Sequence, residues 1–189
     1  MKARVTSTLA QEAGIGKAVS IADDRAQAFE AAVREHQAMV FSVAYHFLRD
    51  HAAAEELAQE VFLELYKHWT EIESREHRLY WLRKVASRKC IDQTRRRKYR
   101  NHLSLEEAPE PFTLMPATDP LLNRYIEQLL AKLPEAPRMV MILRYQEGLE
   151  PSEIADLLEM PVATVKSHLQ RSLAVLRRKL SFATREDES

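Results

Sequence analysis

Ser152-Glu153-Ile154-Ala155-Asp156-Leu157-Leu158, then Glu159-Met160-Pro161, then Val162-Ala163-Thr164-Val165-Lys166-Ser167-His168-Leu169 has the pattern of two short helices joined by a proline-bearing turn. Ser152 is placed to cap a first helix, and Ile154, Ala155 and Leu158 give that helix an apolar face. The small side chain of Ala155 lets a second helix cross closely. Pro161, whose φ is fixed near the helical value, suits the first turn of that second helix. Within it Val165 and Leu169 pack inward, which leaves Thr164, Lys166, Ser167, His168, Gln170 and Arg171 available to a groove and its phosphates. A helix that reads DNA needs polar tips near its N-terminus and cations to neutralise phosphate. From Met160 to Thr184 there is no acidic residue, while Lys166, Arg171, Arg177, Arg178 and Lys179 accumulate. The segment from about Pro151 to Arg171 therefore reads as a helix-turn-helix for duplex DNA. The competing reading is a helical hairpin with a solvated basic face. Cap, turn and charge sign agree on the first.

The same three- and four-residue spacing of apolar side chains recurs over most of the chain, and only three glycines interrupt it. This predicts an all-α protein of two small helical domains. Phe29, Val33, Val40, Val43, Ala44 and Phe47 form one stripe that ends near Arg49-Asp50. Leu57, Ala58, Val61, Phe62, Leu65 and Trp69 form a second over about Ala52 to Trp69. A third helix starts near Glu76, carries Leu79, Leu82, Ala86 and Cys90 on one face, and runs into Arg95-Arg96-Arg97-Lys98. Four more helices are expected over roughly Leu121–Lys132, Pro134–Tyr145, Ser152–Leu158 and Val162–Leu180.

Between the two blocks the character changes. Residues 101–120 hold Glu106, Glu107, Glu110 and Asp119 beside Pro109, Pro111, Pro116 and Pro120, which predicts an extended acidic linker. The division is then a first domain over 25–100 and a second over 121–181. Residues 1–24 read as a flexible tail and 182–189 as a polar one.

Composition excludes more than it selects. Lys+Arg and Asp+Glu are equal at 28 each, so only the distribution of charge can speak for nucleic acid. The single cysteine, Cys90, rules out an internal disulfide and fits a reducing compartment. Its place on an apolar helix face makes it a buried small hydrophobe rather than a redox sensor. No apolar run approaches a membrane span and no secretory signal layout is present, so a cytoplasmic protein without membrane insertion is expected. The seven histidines are scattered without metal-ligand spacing, and no Gly-rich phosphate loop or serine elbow occurs. His46, His51 and Glu55 are better read as boundary residues than as ligands. No cofactor, metal or catalytic residue is expected.

A second cationic surface lies in the first block. Arg83, Lys84, Arg88, Lys89, Arg95, Arg96, Arg97, Lys98 and Arg100 are opposed only by Asp92. An apolar stripe with a cationic remainder suits a nucleic-acid backbone. Tyr80 and Trp81 stand at its start, where an aromatic ring can stack on an unpaired base, although Trp81 taken alone fits core packing better. The helix before it is opposite in sign: Glu55, Glu56, Gln59, Glu60 and Glu64 form an acidic-polar face that repels DNA and suits a basic protein.

Taken in order, these residues resemble a sigma factor of the sigma-70 superfamily, of the extracytoplasmic-function type. Glu55-Glu56-Leu57-Ala58-Gln59-Glu60-Val61-Phe62-Leu63 is similar to region 2.2, and Trp81-Leu82-Arg83-Lys84-Val85-Ala86 through Ile91-Asp92 to regions 2.3 and 2.4. Leu133-Pro134-Glu135, Arg138, Leu143-Arg144-Tyr145, Gly148, Glu153-Ile154-Ala155 and Thr164-Val165-Lys166-Ser167 resemble region 4. The resemblance covers about Phe29 to Leu180, and the family's region 3 is absent. It implies a factor that binds core RNA polymerase and directs promoter recognition, melting and initiation, without making or breaking a bond itself. Glu56, Leu57, Gln59, Glu60 and Leu63 would dock on the clamp helices of the largest subunit. Tyr80, Trp81, Arg83, Lys84, Arg88, Lys89, Arg95, Arg96 and Arg97 would engage a melted minus-ten element, with an unstacked base held near the Glu71–Arg78 loop. Ser152, Thr164, Lys166, Ser167, His168, Gln170 and Arg171 would read a duplex minus-thirty-five element beside the polymerase flap. The linker would thread toward the RNA exit path, and an anti-sigma factor clamping both domains is the further partner implied. The rival is a free-standing helix-turn-helix regulator with a ligand-sensing first domain. That block carries a basic helix of its own, which counts against a sensor.

Overall fold

The computed structural model describes the backbone of residues 3–101 and 120–186, with side chains for 24–97 and 125–180. Seven helices follow one another among the described residues, with no strand: α1 (Ala3–Leu48), α2 (His51–Lys67), α3 (Arg75–Asn101), α4 (Pro120–Ala131), α5 (Glu135–Tyr145), α6 (Pro151–Leu158) and α7 (Val162–Glu186). The all-α expectation holds. Except for its two ends, the linker expected over 101–120 lies outside the described residues. Two segments read as tails differ from expectation. The first is helical from Ala3 onward, and α7 continues through Glu186 rather than ending near Leu180.

The chain forms two compact units, Met1–Ala38 and Met39–Ser189. The described part of the first is helix throughout, with an exposed Arg34–Glu30 ion pair one turn apart at 3.4 Å. The second unit holds the rest of α1 and all the other helices, on both sides of residues 102–119.

Within the second unit, Asp50 starts α2. Its backbone is extended and its Oδ1 accepts the Ala53 N–H at 3.0 Å, which satisfies one of the orphan donors of the first turn. The apolar stripe of α2 is buried at Leu57, Val61, Phe62 and Leu65, and it packs against α3, where Leu82, Ala86 and Cys90 are fully buried. Full burial of each larger side chain in this set, Leu57, Val61, Phe62, Leu65 and Leu82, contributes about 1.5–3 kcal/mol. Ser74 opens α3, its Oγ accepting the His77 N–H at 3.0 Å.

In the later helices Met139 to Leu143 are all buried, and α5 packs against both α6 and α7. Leu129, Leu133, Met141 and Leu176 form a second core cluster, flanked by Tyr125, Leu130, Leu169, Leu173 and Leu180. Arg138 ties the corner between α4 and α5. Its guanidinium donates to the carbonyls of Leu133 at 2.9 Å, Phe47 at 3.0 Å and Ala131, and lies 5.3 Å from the centre of the Phe47 ring. After α5 the chain turns through Gly148 at φ +69, a left-handed backbone that glycine adopts without a Cβ penalty. The buried Leu149 then donates its N–H to the Leu143 carbonyl at 3.1 Å.

Three details of the helix-turn-helix differ from the sequence reading. Ser152 is not the cap of α6: the helix begins at Pro151, and Glu150 takes the capping position in extended backbone. Proline at the first helical position drives its predecessor out of the helical region, so the start moves upstream. Glu153 completes the turn by accepting the Glu150 N–H at 2.7 Å. Leu157, 1% exposed, joins Ile154 and Ala155 in the core, whereas Leu158 is half-buried. Ile154 and Leu157, one turn apart, share the inward face. Pro161 precedes α7 rather than entering it, and its carbonyl accepts the N–H groups of Thr164 and Val165.

Candidate nucleic-acid interface

α7 presents the residues expected to read DNA. Val165 is fully buried and Leu169 packs on the Leu129–Leu176 cluster, which anchors the helix. Lys166, Gln170 and Arg171 are exposed, while Thr164, Ser167 and His168 are half-buried beside them. The buried Ser172 marks the inward face that follows. The arrangement offers short polar groups near the helix start and cations one turn further on, the layout a groove-reading helix requires. Ser152 is exposed on α6, where it can meet a phosphate as a hydroxyl but not as a helix cap.

The cations of α3 do not form a single free face. Arg83 pairs with Glu147 at 2.9 Å, with side chains 18% and 8% exposed. Lys84 and Arg88 both reach the Glu159 carboxylate, at 2.9 and 2.5 Å. Their hydrogen bonds, Lys84 first, hold the Glu159 carboxyl below the usual carboxylate range. Lys89 departs furthest from expectation: it turns toward α2 and bridges Glu60 at 3.0 Å and Glu64 at 3.2 Å. Burial works against its charge, yet those two carboxylates outweigh it and raise its pKa. Arg97 meets Asp50 at 2.9 Å, and Arg95 and Arg96 are exposed. Periodicity put all these residues on a cationic remainder. The acids that pair with them lie between 25 residues (Lys89–Glu64) and 75 residues (Lys84–Glu159) away, beyond any local pattern.

The aromatic residues at the start of α3 also separate. Tyr80 is 40% exposed, donates its hydroxyl to the Asp156 carbonyl at 3.3 Å, and has Lys84 5.7 Å from its ring centre. Trp81 is half-buried, 6.1 Å from the His68 ring. The sequence reading missed Arg78, whose guanidinium braces the loop before α3. It donates to the carbonyls of Ile72 at 3.3 Å and Glu73 at 2.9 Å, and lies 5.1 Å from the Trp69 ring centre. His68 and Glu71 are joined at 2.9 Å in the same loop, which gives it a fixed shape between α2 and α3.

On α2 the acidic-polar face is partly as expected. Glu56, Gln59 and Glu60 are exposed, and Leu63 is 63% exposed. Leu57 is only 3% exposed and belongs to the core, so it is not available to a partner. Its position on the apolar stripe gives the reason. Tyr66, three residues beyond Leu63 on the same helix and 51% exposed, extends the apolar patch instead. An exposed Leu–Tyr pair at this spacing is the sequence signal that points to it. A groove between α2 and α3, lined by Glu56, Glu60, Glu64, Val85 and Lys89 among others, runs beside this face.

The geometry defines a DNA-binding helix-turn-helix protein with a second helical block bearing its own cationic helix. Comparison with known proteins makes this specific. Residues 32–100 match the family described as Sigma-70 region 2, and residues 123–176 match Sigma-70, region 4. The ECF RNA polymerase sigma factor SigW of Bacillus subtilis is 29% identical over 166 residues, 81% of this chain and 89% of SigW. The RNA polymerase sigma-E factor of Streptomyces coelicolor is 31% identical over 153 residues, 80% of this chain and 85% of the relative. Among solved structures, the sigma factor RpoE, in complex with the anti-sigma factor NepR from Bartonella quintana, shares the fold. Its TM-score is 0.68 at 20% identity, over 82% of this chain and 98% of RpoE. The chain belongs to the sigma-70 superfamily, as a sigma factor of the extracytoplasmic-function type. Like the family, it directs transcription initiation. No helix among the described residues is long and apolar enough to cross a membrane.

Proposed function

We propose that the chain divides the work of initiation between three surfaces. α2 docks on the clamp helices of core polymerase through Glu56, Gln59, Glu60 and Leu63, with Tyr66 extending the apolar patch. α3 and the loop braced by Arg78 engage the minus-ten element and its melted nontemplate strand through Tyr80, Trp81, Arg83, Lys84, Arg88, Arg95, Arg96 and Arg97. α7 reads the minus-thirty-five element as duplex through Thr164, Lys166, Ser167, His168, Gln170 and Arg171, with the second block touching the flap. The acidic linker runs toward the RNA exit path. The protein acts in the cytoplasm and catalyses no reaction itself. An anti-sigma factor is the regulatory partner, as RpoE has NepR.

The observation that carries this reading is the separation of charge. An exposed acidic-apolar face on α2 and an acid-free, exposed cationic face on α7 stand in the order of regions 2 and 4. Two substitutions test the division of labour. Glu60→Lys reverses a charge on α2 while Glu64 still holds Lys89, so the fold survives. It lowers affinity for core polymerase by about tenfold, the effect of roughly 1.4 kcal/mol. Lys166→Ala with Arg171→Ala keeps core affinity and weakens protection of upstream promoter DNA by the holoenzyme. Equal effects of both changes on core binding overturn the assignment.

A further inference from the structure

Glu56, Glu60 and Glu64 follow one another at four-residue spacing on α2, so three carboxylates stand in one line on the helix. Like charges at this spacing repel and destabilise a helix. The line borders the groove between α2 and α3, and Lys89 answers it from the far side. Its Nζ meets Glu60 Oε2 at 3.0 Å and Glu64 Oε2 at 3.2 Å. An ammonium carries three donors on one centre, so it can bridge two carboxylates from a single point. The backbone of Lys89 is fixed opposite α2, because Ala86 and Cys90 on either side of it are fully buried. Arg88, one residue earlier, turns to Glu159 instead. The cations of α3 thus serve different partners, and Lys89 meets the acidic face of α2.

The side chains of Glu60 and Glu64 are 54% and 39% exposed, and that of Lys89 is 29% exposed. Each carboxylate gives Oε2 to Lys89 and keeps Oε1 for a second donor. An exposed glutamate samples many rotamers, and ordering it on binding costs affinity, which a side chain already held avoids. A lysine beside Glu60 also weakens its attraction for a basic partner, but salt screens that effect and leaves the ordering intact. A phosphate would have to draw Lys89 from two carboxylates that themselves repel it. We propose that Lys89 is a positioning residue of the polymerase-docking face: it holds Glu60, with Glu64 as second anchor, in the orientation a basic partner surface meets, and it does not contact DNA. The inference rests on the reading of α2 as the docking face.

The test titrates the full chain, labelled at its N-terminus, with core polymerase. Parent, Lys89→Met, Glu60→Gln and the double variant are compared. Lys89→Met keeps the aliphatic stem, removes the charge, and lowers core affinity by about three- to tenfold, the range for one freed side chain. The loss is larger at high salt, where the extra negative charge of the variant no longer compensates. Exposed bridges contribute little to stability, so the melting temperature stays close to that of the parent. Lys89→Arg, which can still bridge, recovers most of the lost affinity. Glu60→Gln also weakens core binding, and in its background Lys89→Met adds little, because Lys89 acts through the Glu60 charge. Promoter binding by the holoenzyme at saturating core keeps its salt slope, which loss of a lysine–phosphate contact lowers by about 0.7–0.9. Unchanged or tighter core binding by Lys89→Met overturns the inference, and the tighter result makes Lys89 a mask over Glu60. Additive losses in the double variant overturn it too, since Lys89 then acts independently of Glu60. A lowered salt slope returns Lys89 to the DNA surface. If Glu60→Gln itself leaves core binding unchanged, the docking reading of α2 has failed and takes the inference with it. A weakened Glu60→Gln beside an unaltered Lys89→Met sinks the inference alone. Should Lys89→Met lose helix content, Lys89→Gln, an uncharged donor, replaces it with the same expectations.

Discussion

Replacing Arg138 by methionine keeps the aliphatic stem and removes a guanidinium that bonds three backbone carbonyls, those of Ala131, Leu133 and Phe47. Hydrogen bonds to a charged group are each worth about 1.5–3 kcal/mol, so a bare sum over three approaches roughly 5–9 kcal/mol. Two effects reduce it. Burial costs the guanidinium part of its hydration and lowers its pKa, with Glu135 opposing that shift and Arg49 adding to it. The carbonyls at the end of α4 also lie at a half-buried corner where water replaces part of what is lost. The net is about 2–3 kcal/mol, which includes the lost contact with the Phe47 ring. For a cooperative unit the size of Met39–Ser189, this lowers the melting temperature by about 4–12 °C. Circular dichroism at the helical band measures it. Arg138→Lys, with one compact ammonium instead of a fork, falls between parent and methionine variant. If Arg138→Met melts with the parent, the three bonds exchange freely with water and the corner is held by apolar packing alone.

Asp50→Ala removes the cap of α2 and the partner of Arg97, costing about 1 kcal/mol near neutral pH. The bond from the Ala53 N–H, then Arg97, depresses the folded pKa of Asp50. Its contribution is therefore complete above the unfolded value near about 3.9 and is lost as pH falls through the folded one. Urea unfolding of parent and variant should converge below that window, and a constant difference at acid pH would mean the carboxylate charge is not what caps the helix. Cys90 is fully buried and its thiol pKa is pushed far above the ordinary range by desolvation. A thiol reagent at mildly alkaline pH should label it only as fast as the fold opens, and rapid labelling of the native chain would contradict its place in the α2–α3 core.

Much of this was legible in sequence because it is periodic. Val61, Leu65, Leu82, Ala86 and Cys90 declare their burial by helical spacing, and the acid-free run after Met160 declares the sign of α7. What was misread depends on choices between neighbours. Pro151 already marked the start of α6, but Ser152 is the better capping residue by propensity and drew the reading away from Glu150. Leu57 satisfies both the apolar stripe and the family motif, and only burial separates core from surface. Lys89, Arg83, Lys84 and Arg88 were grouped by charge alone. Their partners Glu60, Glu147 and Glu159 sit on other helices, and no local pattern links them. Arg138 was visible as a motif residue, yet its role as a cap to three carbonyls follows only from how α1, α4 and α5 meet.

By the proposed division of labour, the chain selects promoters for polymerase through both blocks. Run-off transcription with core polymerase over a promoter library, with start sites sequenced, tests it most directly. Discrete start sites are expected that depend on the added chain and share two spaced elements, with Lys166→Ala and Arg171→Ala relaxing only the upstream one. A start-site distribution identical to that of core polymerase alone would contradict it.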